Sequence, residues 1–146
     1  MMNDVEYTFE SNLDAVLDGL AKAKEEKLLA VGEHARAKIV EKLSGSRSGR
    51  TYTVPGTSTQ YTASAPGEPP ALASNYLREN IDYQKDGDDV IVGTPAVYGP
   101  RLEFGFSGQD ALGRFYNQAA RPWLKPTLEE EMRAMKAILG EDWLDE

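Results

Sequence analysis

The chain has 146 residues, of which 40% are hydrophobic and 27% are charged, and its formal net charge is −8. This length and composition predict one globular domain with a single core. The chain has no cysteine, which excludes disulfides, thiol catalysis and cysteine-ligated zinc. Its acidity makes it a poor generic binder of nucleic acid, because phosphate contacts depend on lysine and arginine.

Apolar residues recur at steps of three and four through the first third of the chain, and Ser44-Gly45 ends the pattern. This spacing predicts a long helix over residues 11–43. Such a helix would be roughly 48 Å long, whereas a domain of this size has a radius of gyration of about 15 Å. We therefore expect the helix either to break at Gly32 or to overhang the domain and require a partner.

Residues 44–75 have a different composition, since Ser, Thr, Gly and Pro fill 19 of these 32 positions. Long segments of this kind inside a compact domain are typically functional or disordered. Two β-prone stretches flank Pro55-Gly56, which suits a type II turn and predicts a hairpin. We interpret the segment as a projecting extended arm that orders on contact with a neighbour; a floppy insertion is the alternative.

From residue 76 the hydrophobic period changes to two, and Asp86-Gly87 is a hairpin turn signal. The pattern predicts a three-stranded antiparallel meander over residues 76–106, whose third strand contains Pro100 and is therefore an edge or bulged strand. A fourth strand is expected from the arm or from residues 5–10.

A second loop is predicted over residues 107–125, followed by a short helix over residues 126–139 that starts at Pro126 and is closed by Gly140. The whole chain, residues 1–146, is thus expected to be a single α+β domain. Its long N-terminal helix and short C-terminal helix would pack on a small antiparallel sheet.

The sequence offers little for catalysis. His34 is the only histidine, so a two-histidine metal site is impossible. The serines do not stand in a nucleophile-elbow pattern, and adjacent carboxylates at turns and helix starts are usually solvated. We expect no catalytic residue, no metal and no cofactor, and we expect the protein not to be an enzyme; a hydrolase using paired carboxylates is only a formal rival.

Positive charge is concentrated in residues 22–50, where eight Lys and Arg stand against four Glu. A nucleic-acid-binding module is therefore an alternative function, and a solvated helix face is the simpler interpretation. In this alternative, Arg47 and Arg50 would contact DNA or an acidic partner. The full basic set is Arg36, Lys38, Lys42, Arg47 and Arg50.

Aromatic residues are dense between residues 98 and 123, next to the stretch Arg-Pro-Trp-Leu-Lys-Pro at 121–126. Aromatic residues and arginine are typical anchors of protein interfaces. We therefore interpret this region and the arm as assembly surfaces. The candidate interface residues are Tyr52, Val54, Tyr61, Phe104, Phe106, Phe115, Tyr116, Arg121 and Trp123.

Three stretches carry a family resemblance: SAPGEPPALASNYLRENI at 64–81, DDVIVGTPAVYGPRLEFGF at 88–106 and ARPWLKPTLEEEM at 120–132. Together with the long charged N-terminal helix, they make the chain resemble the tail-completion, or head–tail joining, proteins of long-tailed bacteriophages. The similarity runs from about residue 12 to residue 139. The chain departs from the family pattern at Ser74-Asn75, where the family often has Thr-Gly, and at Phe106, where it usually has Gly-Thr after the aromatic residue.

The resemblance implies a non-enzymatic virion protein of the neck or of the head-proximal end of the tail. It implies a homo-oligomeric ring, typically sixfold, that joins head and tail and contacts neighbouring neck and tail proteins. Passing contact with DNA in the lumen and assembly in the host cytoplasm belong to the same expectation. The N-terminal residues lack a signal peptide pattern, and no apolar run is long enough to span a bilayer, so no membrane partner is expected.

Overall fold

The computed structural model describes residues 11–72 and 74–140. It confirms an α+β fold with a long N-terminal helix, short C-terminal helices and small antiparallel sheets. In chain order the elements are α1 (Leu13–Ser44), β1 (Thr51–Thr53), β2 (Gln60–Thr62), α2 (Tyr76–Glu79), β3 (Asp82–Asp86), β4 (Asp89–Gly93), α3 (Gly99–Phe104), β5 (Phe106–Gln109), β6 (Phe115–Gln118), α4 (Lys125–Glu130) and α5 (Met132–Leu139).

The long helix α1 is continuous and does not break at Gly32. Gly32 is buried, and a Cβ built on it would overlap the ring of Tyr83 on β3. The glycine therefore allows β3 to approach the helix closely. The helix instead extends beyond the packed part of the chain: residues 11–26 are all exposed, and Leu28 is the first buried residue of α1. The expectation that this part needs a partner stays a prediction. The part of α1 that precedes the Lys24–Asp88 ion pair overhangs the rest of the described chain.

The strands form three separate antiparallel hairpins, β1–β2, β3–β4 and β5–β6. The predicted three-stranded meander is therefore wrong. Its third strand is the helix α3, where Pro100 lies in the first turn and its missing N–H leaves no hydrogen bond unmade. The stretch from Tyr76 to Glu79 is likewise the short helix α2 and not a strand. Short apolar runs fit both periods, and tertiary packing decides between them.

Two further expectations are corrected in the C-terminal part. Residues 107–125 are not simply a loop, because they contain most of the β5–β6 hairpin. The last helical region is two helices, α4 and α5, separated at Glu131. The expected fourth strand does not come from the arm, since β1 and β2 pair with each other. Residues 5–10, the other candidate, lie outside the described residues.

The core lies where the C-terminal half of α1 meets α2 and the segments around α3 and α4. Helices α4 and α5 run antiparallel to α1: Lys42 Nζ lies 2.9 Å from Glu130, His34 Nε2 lies 2.7 Å from Glu131, and Lys27 Nζ lies 3.5 Å from the Leu139 carbonyl. The β3–β4 hairpin packs against α1 as well. The buried core cluster consists of Ile39, Leu43, Leu77, Ile81, Ala96 and Trp123.

Within residues 11–72 and 74–140, no helix has the length and apolar character needed to cross a membrane.

Candidate assembly surfaces

A buried carboxylate holds the Arg-Pro-Trp-Leu-Lys-Pro stretch in place. Glu103, at the end of α3, accepts backbone N–H groups from Trp123 at 2.7 Å, Leu124 at 2.8 Å and Lys125 at 2.9 Å. These are N–H groups at and just before the start of α4, which have no partner within the helix. Glu103 therefore caps α4 from another element, and a negative charge there also suits the helix dipole.

The Trp123 side chain completes this contact, which we call the α3–α4 lock. The Trp123 indole N–H donates to the Gly99 carbonyl at 3.2 Å, and the Thr127 hydroxyl donates to the Trp123 carbonyl at 2.7 Å. Trp123 is only 2% exposed. Its assignment as an interface residue is wrong, because its aromatic surface is already buried in the core of its own chain.

Arg121 connects the lock to the arm. Its Nη1 donates to the Ala65 carbonyl at 2.6 Å, and its backbone N–H donates to the Leu102 carbonyl at 2.6 Å. The side chain is half-buried. Arg121 was expected to point outward for an interface, but its guanidinium binds the arm of the same chain.

The base of the arm is fixed by Arg47. This guanidinium donates to the carbonyls of Lys42, Gly45, Ser46 and Pro70 at 2.6–3.2 Å, and so closes the C-terminal end of α1 against the far end of the arm. Burial lowers the pKa of Arg47. The prediction that Arg47 contacts DNA or an acidic partner loses support, because its guanidinium already binds backbone carbonyls of its own chain. Arg50 is exposed.

Glu68 makes a second set of hydrogen bonds across the base of the arm. Its carboxylate accepts the Ser48 hydroxyl at 2.5 Å, the Ser48 N–H at 3.1 Å and the Ala65 N–H at 2.7 Å. These hydrogen bonds, led by that of the Ser48 hydroxyl, lower the pKa of Glu68 to about 2. The arm base is thus ordered by contacts within the chain and needs no neighbour for this.

The tip of the arm is the β1–β2 hairpin, and the predicted turn is present. The Thr57 N–H donates to the Val54 carbonyl at 3.1 Å across Pro55-Gly56, and Gly56 has the positive φ that a type II turn needs. Tyr52 and Tyr61 face each other across the strands with ring centroids 5.9 Å apart. Tyr52 is exposed, whereas Tyr61 and Val54 are half-buried.

The β5–β6 hairpin, residues 106–118, divides the predicted aromatic interface between its two faces. The pairing places Tyr116 opposite Gly108 and Phe115 opposite Gln109. Because side chains alternate along a strand, Tyr116 shares a face with Phe106, and Phe115 lies on the other. Phe106 stacks under the Arg101 guanidinium, 4.1 Å from its ring centroid.

The turn of this hairpin is organised by Asp110. Its carboxylate accepts the N–H groups of Leu112 and Arg114 at 2.9 Å, the Arg114 Nε at 2.6 Å and the Tyr116 hydroxyl at 3.1 Å. The Arg114 N–H and these other donors lower the pKa of Asp110. Asp110 was not selected from sequence because residues 107–125 were predicted to be a loop, although Asp-x-x-Gly at 110–113 is a turn signal.

Three large apolar side chains on or next to the β5–β6 hairpin are largely exposed: Phe104 at 80%, Leu112 at 78% and Phe115 at 75%. All residues from 111 to 120 are exposed. Phe104 and Phe115 were predicted as interface candidates from sequence, whereas Leu112 was missed because it is an isolated aliphatic residue in the predicted loop. Glu103 was also missed, since nothing local marks a glutamate as the cap of a helix 20 residues away.

The remaining basic residues of the 36–50 segment contact their own chain. Arg36 Nε donates to the Ile81 carbonyl at 3.0 Å, Lys38 pairs with Glu41 at 3.2 Å, and Lys42 pairs with Glu130. His34 is half-buried, and its Nε2 lies 2.7 Å from Glu131. Within the described part of the chain, no group of three or more His, Asp and Glu side chains is arranged to hold a metal ion.

Comparison of this chain with models of protein families, with curated proteins and with solved structures returned no match.

Proposed function

We propose that the chain is a structural, non-enzymatic virion protein of a tailed phage. It forms a homo-oligomeric ring in the neck or at the head-proximal end of the tail, where it joins head and tail and contacts the adjoining neck and tail proteins. The observation that carries the proposal is the exposure of three large apolar side chains on or next to the β5–β6 hairpin, Phe104, Leu112 and Phe115. Several large apolar side chains exposed on one short element favour a surface that binds another protein.

The low intrinsic stability of the hairpins also supports assembly. An isolated two-stranded hairpin is marginally stable in water and usually needs a third strand or a packed face. The β5–β6 hairpin pairs with no other strand in the described residues, and most of its side chains face solvent. A neighbouring subunit that added a strand or covered a face would supply the missing contacts.

The two-faced character of this hairpin also suits a ring. A ring uses heterologous contacts, in which one patch of a subunit meets a different patch of the next. Phe115 and the Phe106–Tyr116 pair lie on opposite faces of β5–β6. The Phe106 face rests beside Arg101 of its own subunit, so the Phe115 face is left to meet a different patch on the neighbour.

The α3–α4 lock also supports the resemblance to head–tail joining proteins. Two of the three stretches that carry it, 88–106 and 120–132, meet at the hydrogen bonds between Glu103 and residues 123–125. The lock sets the position of Phe104 and of the following hairpin. The stretch Arg-Pro-Trp-Leu-Lys-Pro thus acts as an internal fixture beside the exposed Phe104.

The experiment is measurement of molar mass by light scattering over a range of concentrations, alone and with neighbouring neck proteins. We expect oligomers of the 16.1 kDa chain. Replacing Phe115 with Ser removes one buried aromatic group per contact, worth about 2 kcal/mol, and should weaken association roughly 30-fold. Ile91→Thr, at an exposed position on β4, is the control and should associate normally.

A chain that stays monomeric at all concentrations, and that never enters particles, would contradict the proposal. The same conclusion would follow if Phe115→Ser and Ile91→Thr associated equally well through an unrelated surface.

The alternative, a nucleic-acid-binding module using residues 36–50, has less support. Arg36, Lys38, Lys42 and Arg47 all contact acceptors of their own chain, so binding phosphates would cost these contacts. The alternative predicts salt-dependent DNA binding with a steep slope. A lack of binding at about 50 mM salt would remove it, because non-specific phosphate contacts are strongest at low salt.

A further inference from the structure

Two of the three hairpins, β1–β2 of the arm and β5–β6, have strands without charge. Their four strands contain no Asp, Glu, Lys, Arg or His, whereas the strands of β3–β4 carry three Asp and one Lys. Charged side chains commonly protect the edge of a sheet from pairing with another chain. The two uncharged hairpins lack this protection, and neither pairs with a further strand in the described part of the chain.

The open edge of the arm hairpin is β1. The backbone groups of Arg50 and Val54 form hydrogen bonds across the hairpin, each at 2.8 Å. Because the pairing alternates along an antiparallel strand, Thr51 and Thr53 direct their N–H and C=O groups away from β2. All three residues of β1 are exposed, whereas two of the three residues of β2 are half-buried.

The open edge of the other hairpin is β6. The Asp110 N–H donates to the Arg114 carbonyl at 3.0 Å, so by the same alternation Phe115 and Asn117 direct their backbone groups away from β5. Every residue of β6 is exposed, whereas two of the four residues of β5 are half-buried.

We propose that β1 of one subunit pairs with β6 of the next and joins the two hairpins into a four-stranded sheet in the order β2–β1–β6–β5. This inference rests on the proposed oligomer and specifies its contact. Each copy carries one open edge of each kind, so the contact repeats from subunit to subunit as a heterologous interface does. Pairing gives each hairpin the additional strands that a lone hairpin needs for stability.

Charge determines the relative direction of the two strands. In a parallel pairing Arg50, just before β1, would lie beside Arg114, just before β6, and like charges side by side are destabilising. An antiparallel pairing places Arg50 beside Gln118 and Arg114 beside Val54. The two arginines are then separated by the length of the paired strands, roughly 13 Å.

The outward backbone groups also determine the register. With complete overlap of the antiparallel strands, the facing pairs are Thr51 with Asn117, Tyr52 with Tyr116 and Thr53 with Phe115. The outer two pairs exchange backbone hydrogen bonds, and the tyrosine pair between them is a close pair without backbone hydrogen bonds. Tyr52 and Tyr116 are both exposed in the single subunit, and aromatic pairs across strands stabilise a sheet.

Proline substitution at the open edges tests this contact. Thr53→Pro and Asn117→Pro each remove one outward N–H and leave the hydrogen bonds inside the hairpin in place. Each should weaken association at least roughly tenfold, measured by light scattering. The matched controls are the residues directly opposite, Gln60→Pro on β2 and Ser107→Pro on β5, which should associate as the wild-type chain does.

Mixing the two edge variants distinguishes a heterologous contact from pairing of one edge with itself. Thr53→Pro keeps an intact β6 and Asn117→Pro keeps an intact β1. Each variant alone should stay monomeric, and the mixture should form a heterodimer and nothing larger. Dimers of Asn117→Pro alone would overturn the proposal and assign β1 to the β1 strand of a second copy.

The absence of cysteine from the chain allows a second test that does not depend on proline. Tyr52→Cys mixed with Tyr116→Cys should give a disulfide-linked heterodimer under mild oxidation, because facing residues of a close pair have the Cα separation that a disulfide needs. Tyr61→Cys, which lies one strand further away, is the control and should give at least roughly tenfold less product with Tyr116→Cys. Equal yields would overturn the proposal.

Failure of this inference is distinguishable from failure of the proposed function. Wild-type oligomers that all four proline variants leave unchanged would overturn the β1–β6 contact and leave assembly through another surface. Equal weakening by the edge variants and by their opposite controls would also overturn it. A wild-type chain that stays monomeric at all concentrations would contradict the proposed function, and the β1–β6 contact with it.

Discussion

Glu103 is the residue that fixes the start of α4 against the end of α3. It is only 7% exposed, and its carboxylate accepts three backbone N–H groups from residues 123–125. A hydrogen bond to a charged group contributes about 1.5–3 kcal/mol, and a buried donor left without an acceptor costs about as much. No nearby side chain in the described residues makes the same contacts.

Glu103→Gln should therefore lower the free energy of unfolding by about 2–3 kcal/mol. The amide keeps one acceptor oxygen but turns an NH₂ group toward N–H donors at the start of α4. Urea denaturation followed by circular dichroism measures the effect. Glu129→Gln, in an exposed pair with Lys125, is the control and should change stability by less than about 0.5 kcal/mol. Equal effects of the two variants would contradict the role of the lock.

Glu68 makes a pH-dependent contact at the arm base. Its pKa is lowered from an ordinary value near 4.5 to about 2, so it stabilises the folded arm base fully above pH 4.5. That contribution is lost as the pH falls from 4.5 toward 2. The amide signals of Ser48 and Ala65, followed by NMR, should shift only in this range.

Glu68→Gln is the control for this titration. It should loosen the arm base at neutral pH and remove the change between pH 4.5 and 2 at Ser48 and Ala65. A wild-type arm base that loosened already near pH 5 would contradict the assignment of the contact to Glu68.

At the scale of the element, two glycines of α1 differ in their surroundings, and alanine substitution should affect stability in opposite directions. Alanine in place of glycine inside an exposed helix stabilises by roughly 0.5–1 kcal/mol. Gly19 has open space around it, whereas a Cβ on Gly32 would overlap the Tyr83 ring. Gly19→Ala should therefore raise the free energy of unfolding, and Gly32→Ala should lower it by roughly 1–3 kcal/mol because overpacking forces β3 away.

Thermal and urea denaturation of the two alanine variants measure both changes in the free energy of unfolding. Stabilisation by both substitutions would show that Tyr83 moves aside at little cost, and that Gly32 is not needed for the approach of β3 to α1.

The β5–β6 hairpin depends as an element on the turn held by Asp110. Asp110→Ala removes four accepted hydrogen bonds at once. We expect faster amide exchange throughout residues 106–118 and weaker association, with little change in the global unfolding transition, since the hairpin contributes nothing to the buried core cluster. Asp82→Ala, at an exposed position outside the hairpin, should leave exchange in residues 106–118 unchanged.

At the scale of the whole molecule, local patterns determined what could be predicted. The 32-residue helix and the Pro55-Gly56 turn follow from periodicity and turn chemistry, and both were predicted from sequence. The α3 helix was missed because a strand-like apolar alternation around Pro100 competes with the tertiary contacts of Gly99 and Glu103. Those contacts join residues about 20 positions apart, and no local pattern encodes them.

The candidate site shows the same division between local and distant information. The exposed aromatic residues Phe104 and Phe115 were selected by composition. The same reasoning selected Trp123 and Arg121, which the fold uses internally. Composition identifies aromatic and arginine side chains but not the direction in which they point. Trp123 points into the core, where its indole N–H donates to the Gly99 carbonyl.

The most direct measurement of the proposed role is an electron cryomicroscopy map of the neck of intact particles. We predict a closed ring of this chain between head and tail, in which the face of β5–β6 that carries Phe115 is covered by the next subunit. A particle neck that lacks the chain, or a ring that leaves Phe104, Leu112 and Phe115 in solvent, would contradict it.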